Sequence, residues 1–267
     1  MRSPDTSIIA TIFLQDALPN FRTIDKLQLY FKPPGHLSVV CSPENPRFTE
    51  VKPYLDNINV GFSLGLFYIQ SCVHQDKPFR VYTDALGVLG VDQIHISRTD
   101  FSVTNNVVVD GYFSGLDNLT TLYIGSSRIK RFSKKAFRDL EGLKVLKISN
   151  NNITHLDPVA IESLKNLETL VLQEEYLIDI GMDLLAPLTN LKEFELYLNR
   201  DDLLTVDFFK TNRHIEDLTF QTWCEREWKG QPVFTSELLE PLTKLRSFKF
   251  RGCPRINSLP SGLFKVS

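Results

Sequence analysis

The stretch LTTLYI at residues 119–124 returns in the same apolar pattern as LKVLKI at 143–148, LETLVL at 167–172 and LKEFEL at 191–196. The four segments start 24 residues apart. Within each segment the first, fourth and sixth residues are apolar, which predicts a short strand with those side chains facing inward. One such strand cannot bury its apolar side alone. The repeat therefore predicts a coil that returns to its start and stacks each strand on the last.

The second half of each 24-residue unit carries apolar columns of its own. Position 19 of the four units holds Phe137, Ile161, Leu185 and Phe209. Position 22 holds leucine in three units, but the fourth has Asn212 there. These columns predict that the return segment packs into the same core as the strands.

These columns resemble the typical 24-residue class of extracellular leucine-rich repeats, as found in Toll-like receptor ectodomains. The segment LPSGLF at 259–264 is similar to the return of that class. The resemblance implies an α/β repeat fold. This is a curved leucine-rich-repeat solenoid with a parallel concave β-sheet and an irregular or short-helical convex side.

Degenerate openings extend the pattern on both sides of the four clear units. We predict about eight repeats over 66–267, an irregular cap-like region over 1–65, and excursions near 102–110 and 225–232. The last unit opens at Leu245 and the chain stops before another strand, so we expect a solenoid truncated at the C-terminus. The predicted strands lie at 66–71, 91–96, 119–124, 143–148, 167–172, 191–196, 215–220 and 245–250. The phenylalanines expected at the convex wall are Phe113, Phe137, Phe209 and Phe264.

Composition argues against several classes of function. A formal charge of −2 and a pI near 6.2 give no basic footprint for nucleic acid. The longest apolar run, near 60–69, is shorter than the roughly 18 residues of a membrane span. The five histidines form no triad or metal site with other residues, so we expect no catalytic site, no metal and no cofactor.

The four cysteines lack the Cys-x-x-Cys spacing of a zinc site. Cys224 and Cys253 occupy neighbouring positions of adjacent repeats, where strands about 4.8 Å apart allow a disulfide. The alternative is that Cys253 is a buried thiol at the inward polar position that Asn151 takes in its repeat. Cys41 and Cys72 are candidates for a second disulfide.

Two sequons for N-linked glycosylation begin at Asn118 and Asn152. The repeat register places both at strand ends, where a sugar could project. They favour an extracellular location without deciding it.

The outward-facing strand positions 3, 5, 7 and 8 predict the binding surface, because they line the concave side of a curved solenoid. A central acidic stretch lies between basic ends, with tyrosines as anchors of the kind enriched at interface hot spots. The alternative is an ordinary hydrophilic face with no partner. The candidate binding residues are His95, Arg98, Tyr123, Lys147, Glu174, Glu193, Glu195, Tyr197, Asp217, Lys249 and Arg251.

The sequence therefore predicts a non-enzymatic module that binds a protein partner, within a secreted or cell-surface receptor or adhesion protein. A cytosolic scaffold or ubiquitin-ligase adaptor is the alternative, and it would keep all four thiols reduced. A third reading, the regulatory part of an enzyme, needs a catalytic segment outside the repeats. Fold alone does not choose among these classes.

Overall fold

The chain is described here from a computed structural model. The structure describes residues 27–32, 36–41, 65–71, 86–87, 90–99, 101–174, 176–181, 183–197, 204–221 and 236–251.

Short strands, most of them parallel, account for most of the regular structure. Their bounds are β1 Leu27–Lys32, β2 His36–Cys41, β3 Leu66–Gln70, β4 Gln93–Ser97, β5 Val107–Val108, β6 Thr121–Gly125, β7 Arg131–Phe132, β8 Val145–Ser149, β9 Thr169–Gln173, β10 Glu193–Tyr197, β11 Asp217–Gln221 and β12 Ser247–Arg251. Ten of them form one sheet in the order β1-β2-β3-β4-β6-β8-β9-β10-β11-β12, and β5 pairs with β7 in a second, two-stranded sheet. The main sheet is parallel except for the β1–β2 pair, which is antiparallel.

All eight predicted strands are present, which confirms the solenoid. Seven of them begin two residues later than predicted, whereas β3 begins at Leu66 as predicted. Leu66 nevertheless pairs with Gln93, at position 3 of the next repeat, so the prediction that Leu66 opens its repeat was wrong by two residues. The shift has a local cause in the opening leucine. The backbone N–H of Leu119 donates to the Leu116 carbonyl at 2.9 Å and closes the preceding turn. The sheet ladder then starts where Thr120 and Thr121 both donate to the Asp92 carbonyl.

The core contains the columns that the sequence predicts. Leu119, Leu122 and Ile124 are fully buried, as are their counterparts at 143, 146 and 148. On the convex side the rings of Phe113 and Phe137 stack with centroids 6.0 Å apart. Phe209 is also fully buried, whereas Phe264 lies outside the described residues.

The excursion at 102–110 begins with a 3-10 turn, Ser102–Thr104, and returns to the repeat frame at β5. There Val108 pairs with Phe132, its counterpart 24 residues later. The second excursion, at 225–232, lies outside the described residues.

Asn212 breaks the leucine column without leaving its amide unpaired. It is 1% exposed, and its Nδ2 donates to the carbonyls of Leu185 at 2.9 Å and Leu188 at 3.2 Å. A buried polar side chain is tolerated when its hydrogen bonds are made inside the protein. The remaining helical structure in the described residues is short: residues 86–87, a 3-10 helix Pro158–Ile161 and one α-helical turn, α1, Ser236–Leu239.

The segment 1–65, predicted to be irregular, contains a regular pair of strands. β1 and β2 are antiparallel to each other, and β2 joins β3 in parallel register. This pair extends the sheet beyond the first predicted repeat. The division of the chain at residue 65 stays a prediction.

Candidate functional site: the concave face of the sheet

The parallel register aligns equivalent outward side chains in rows across the sheet. Adjacent strands are about 4.8 Å apart, so neighbours in a row contact one another. The central row runs Tyr68, His95, Tyr123, Lys147, Val171, Glu195, Thr219 and Lys249, from β3 to β12. It divides into an aromatic part and an acidic part.

The aromatic part is formed by Tyr68, His95 and Tyr123. The His95 ring meets Tyr68 edge-on at 6.2 Å and Tyr123 edge-on at 5.6 Å between centroids. Burial lowers the pKa of His95, and the charges of Lys147 and His36 lower it further. His95 is therefore neutral at pH 7 and acts as part of an amphipathic surface rather than as a cation.

Tyr123 is held in place by its neighbours along and across the sheet. Its hydroxyl hydrogen-bonds to the Ser149 hydroxyl at 3.0 Å. To reach Ser149 the ring crosses over Gly125, where an added Cβ would clash with the Tyr123 hydroxyl and ring. Gly125 thus provides the space that fixes the orientation of this tyrosine.

The acidic part centres on Glu195. The side-chain amide of Gln173 donates to Glu195 Oε1 at 2.6 Å, and the amide of Gln221 donates to the same oxygen. These glutamines come from the strands on either side of β10, so a half-buried carboxylate is clamped in one orientation. Charge-assisted hydrogen bonds of this kind are stronger than neutral ones.

Two further carboxylates extend the acidic part along the strand starts. Glu193 and Asp217 are register partners on β10 and β11, and Thr169 donates its hydroxyl to Glu193 Oε2 at 3.2 Å. On β12 the exposed Lys249 and Arg251 return the face to positive charge. The predicted change of charge sign is therefore present among these residues of the face.

The comparisons with known proteins identify the repeat. A family model described as leucine rich repeat matches residues 106–153, 117–177 and 141–203. The matched stretch, residues 106–203, is similar to leucine-rich repeats. A comparison of its sequence with curated proteins finds no match.

Solved structures share this leucine-rich-repeat fold. A chain of the Toll–Spatzle complex, described as a molecular hub in Drosophila development and innate immunity, matches with a TM-score of 0.55 and 14% identity, over 90% of this chain and 33% of that chain. Its glycosylated form matches with a TM-score of 0.49 and 15% identity, over 90% of this chain and 37% of that chain. Human Wnt-activated inhibitory factor 1, also named trophoblast glycoprotein, matches with a TM-score of 0.43 and 19% identity, over 69% of this chain and 76% of that chain. The present chain thus spans about a third of the Toll–Spatzle chain, and likeness at this identity shows the fold alone.

Glu174 does not belong to the concave face, contrary to the sequence-based prediction. It is 1% exposed, and its carboxylate accepts hydrogen bonds from the backbone N–H of Asn151 at 2.9 Å and from Asn151 Nδ2 at 2.9 Å. Asn151 in turn accepts from the Ser127 N–H at 2.9 Å, and Ser127 Oγ accepts from the Thr99 N–H at 3.1 Å. Glu174 thus belongs to a buried polar ladder that links four successive repeats.

The other candidates differ in accessibility. Tyr197 is 9% exposed, so its ring is part of the packed floor of the face rather than a projecting anchor. Arg98 is exposed immediately after β4, where its positive φ of 51° turns the chain away from the sheet. The two sequon asparagines, Asn118 and Asn152, are exposed. Three of the candidate disulfide cysteines, Cys72, Cys224 and Cys253, and the side chain of the fourth, Cys41, lie outside the described residues.

An alternating charge ladder borders the face, and sequence reasoning missed it. Position 2 of successive repeats holds Lys144, Glu168, Lys192, Glu216 and Arg246. Lys192 Nζ lies 2.7 Å from Glu168 Oε2, and Arg246 Nη1 lies 3.0 Å from Glu216 Oε2. The Lys192 hydrogen bond and charge lower the pKa of Glu168, and the reverse contact raises the pKa of Lys192. Comparing the residue that directly follows the opening residue of each repeat would have found this pattern.

An open groove of about 380 Å³ follows this charged edge. Glu168 pairs with Lys192 in its lining, and Lys144 adds one further positive charge. Across the described parts of the chain no group of histidines, cysteines and acids could hold a metal ion. No helix within those parts is long and apolar enough to cross a membrane. The groove is lined by Gly142, Lys144, Asn166, Glu168, Asn190 and Lys192.

Proposed function

We propose that this chain is a non-enzymatic recognition module that binds a protein partner on its concave face, as part of a secreted or cell-surface receptor or adhesion protein. Leucine-rich-repeat coils support this because they present an extended row of side chains rather than a closed catalytic cavity. The partner meets an aromatic part around Tyr123 and an acidic part around Glu195.

The observation that carries the proposal is the fixed orientation of the outward side chains. Ser149 holds the Tyr123 hydroxyl, and Gln173 with Gln221 holds the Glu195 carboxylate. Side chains that are ordered before binding lose less conformational entropy when a partner arrives. Tyrosine is also one of the residue types enriched at interface hot spots.

The cell-surface setting rests on two further supports. The similar fold in the Toll–Spatzle complex comes from a chain studied in a complex with another protein. The exposure of Asn118 and Asn152 leaves both sequons accessible for glycosylation. If the setting is right, chain secreted from eukaryotic cells loses mass on treatment with an N-glycosidase. Secreted chain without glycan at either asparagine would argue against it.

The test of partner binding uses charge reversal on the face. Chain immobilised after secretion is exposed to the secreted and surface proteins of the cells that express it, and captured partners are identified by mass spectrometry. Glu193→Lys with Glu195→Lys should abolish capture, and association should slow as salt rises because screening shortens the reach of the field. Reversal of two exposed acids off the face, Glu141→Lys with Glu162→Lys, is the charge-matched control.

A second pair of variants tests the aromatic part. Tyr123→Ala should weaken binding of the same partner by more than about 1 kcal/mol, the scale of a hot spot. Tyr176→Ala is its control, since Tyr176 is 46% exposed and lies in the return segment after β9. Binding that survives both the charge reversal and Tyr123→Ala would remove the concave face as the recognition site.

A further inference from the structure

Glu195 presents one carboxylate oxygen that no neighbour uses. Both glutamine amides donate to Oε1, and among the described residues none donates to Oε2. No described lysine or arginine forms an ion pair with Glu195. A half-buried carboxylate attracts a partner cation more strongly than a fully exposed one does, because less water screens the pair.

Thr219 supplies a second unused polar group beside it. The residue is only 9% exposed, no described residue hydrogen-bonds to its hydroxyl, and the hydroxyl oxygen itself remains accessible at the surface of the face. Thr219 is the register partner of Glu195 on β11, so both side chains lie on the same face of the sheet. An accessible hydroxyl that the protein itself does not use can accept a hydrogen bond from a bound donor.

The surroundings favour a flat cation with several donors. Glu193 and Asp217 add two negative charges along the strand starts, and the buried side chains of Val171 and Tyr197 form an apolar and aromatic floor beside Glu195. A guanidinium has five N–H donors in a planar fork, stacks on aromatic faces and is weakly hydrated. An ammonium group is a compact, strongly hydrated charge and fits this combination less well.

We propose that Glu195 and Thr219 form a subsite that receives an arginine side chain of the protein partner. The guanidinium donates to Glu195 Oε2 and to the Thr219 hydroxyl oxygen, with Asp217 as a further acceptor. The inference rests on the proposed function in that the arginine belongs to a bound protein, and it names the chemistry that this part of the concave face selects.

The probe for this subsite is N-acetyl-arginine amide, added to the isotope-labelled 267-residue chain and followed by NMR. Signals from β10 and β11 should shift saturably with N-acetyl-arginine amide. N-acetyl-citrulline amide, which has nearly the same shape and no charge, should bind at least about tenfold more weakly, the scale of a charged hydrogen bond. Equal shifts with the two amides would overturn the proposal.

Variants locate the binding groups. Glu195→Gln should weaken arginine-amide binding about tenfold, and Thr219→Val, which removes only the hydroxyl, about threefold. Glu141→Gln and Thr121→Val are the matched controls, one off the face and one on the same face four strands away. The subsite would be overturned if Thr219→Val and Glu195→Gln both bind the arginine amide as tightly as the unaltered chain does, with the NMR spectrum of Glu195→Gln showing that it keeps its fold.

This test separates the two proposals because the amide needs no protein partner. Suppose that Glu193→Lys with Glu195→Lys abolishes partner capture, but the chain binds the arginine amide no better than the citrulline amide. That result overturns the arginine subsite and leaves recognition by the concave face in place. Saturable, Glu195-dependent arginine binding supports the subsite even where partner capture is unaffected by the face variants, and in that case the proposed function fails alone.

Discussion

Replacing Asn151 by alanine should be among the most destabilising single changes in the described part of the chain. The side chain is 3% exposed and joins two neighbouring repeats. Its Oδ1 accepts from the buried Ser127 N–H, and its Nδ2 donates to the buried Glu174 carboxylate, both at 2.9 Å. An orphaned buried N–H costs about 1–3 kcal/mol, and a lost hydrogen bond to a charged group about 1.5–3 kcal/mol.

We therefore expect Asn151→Ala to lower the free energy of unfolding by about 3–5 kcal/mol. The measurement is urea denaturation of unglycosylated chain followed by circular dichroism. Asn152→Ala is the control, because the adjacent asparagine is exposed and should cost less than about 0.5 kcal/mol. If Asn151 and Glu174 act as one network, the double alanine variant should cost less than the sum of the single variants. A loss below about 1 kcal/mol for Asn151→Ala would show that the buried ladder does not hold the repeats together.

Three further predictions follow from the core and the aromatic part of the face. Leu146→Ala should cost about 2–5 kcal/mol in urea denaturation, because Leu146 is fully buried, whereas the exposed Lys147→Ala should cost less than about 0.5 kcal/mol; equal costs would place Leu146 outside the core. Gly125→Ala should displace Tyr123 and speed its oxidation by hydroxyl radicals; an unchanged rate would mean that the ring does not need this space. Folding lowers the pKa of His95 from 6.5, so its neutral form contributes stability above that pH, and this stability is lost as the pH falls below it. The free energy of unfolding should therefore decline less between about pH 7 and pH 5 in His95→Gln than in the unaltered chain. An identical decline in both would contradict the lowered pKa.

The sequence predicts the apolar columns well because they have a strict physical cause. A strand residue at Leu122 or Leu146 must face the core of a stacked coil, so its spacing is constrained at 24 residues. The strand starts were less predictable, since the leucines that open the four clear units, from Leu119 to Leu191, are buried in the turn before the strand. Burial periodicity does not distinguish a turn from a strand at that point.

Glu174 shows where counting positions fails. Position 9 of its repeat is residue 175, and Glu174 at position 8 was predicted to face the concave side. In the structure it bonds to Asn151, 23 residues earlier rather than 24, because its longer side chain reaches back to the ladder. Nothing in the periodicity indicates that the Glu174 carboxylate, from position 8, takes the place in the ladder that position 9 fills in the preceding repeats.

The two hydrogen bonds that hold Glu195 could be predicted only in part from the sequence. The register places Gln173 and Gln221 on the same face as Glu195, which the strand alternation predicts. That both amides choose the same oxygen depends on side-chain rotamers, which sequence spacing does not specify.

The most direct test of the concave face is hydroxyl-radical footprinting of the chain with and without a captured protein partner. Tyr123 and His95 lie in the aromatic part of the face, and Tyr176 is 46% exposed in the return segment after β9. We predict that saturating partner slows the oxidation of Tyr123 and His95 and leaves the rate at Tyr176 unchanged. Protection of Tyr176 with unchanged oxidation of Tyr123 and His95 would contradict recognition by the concave face.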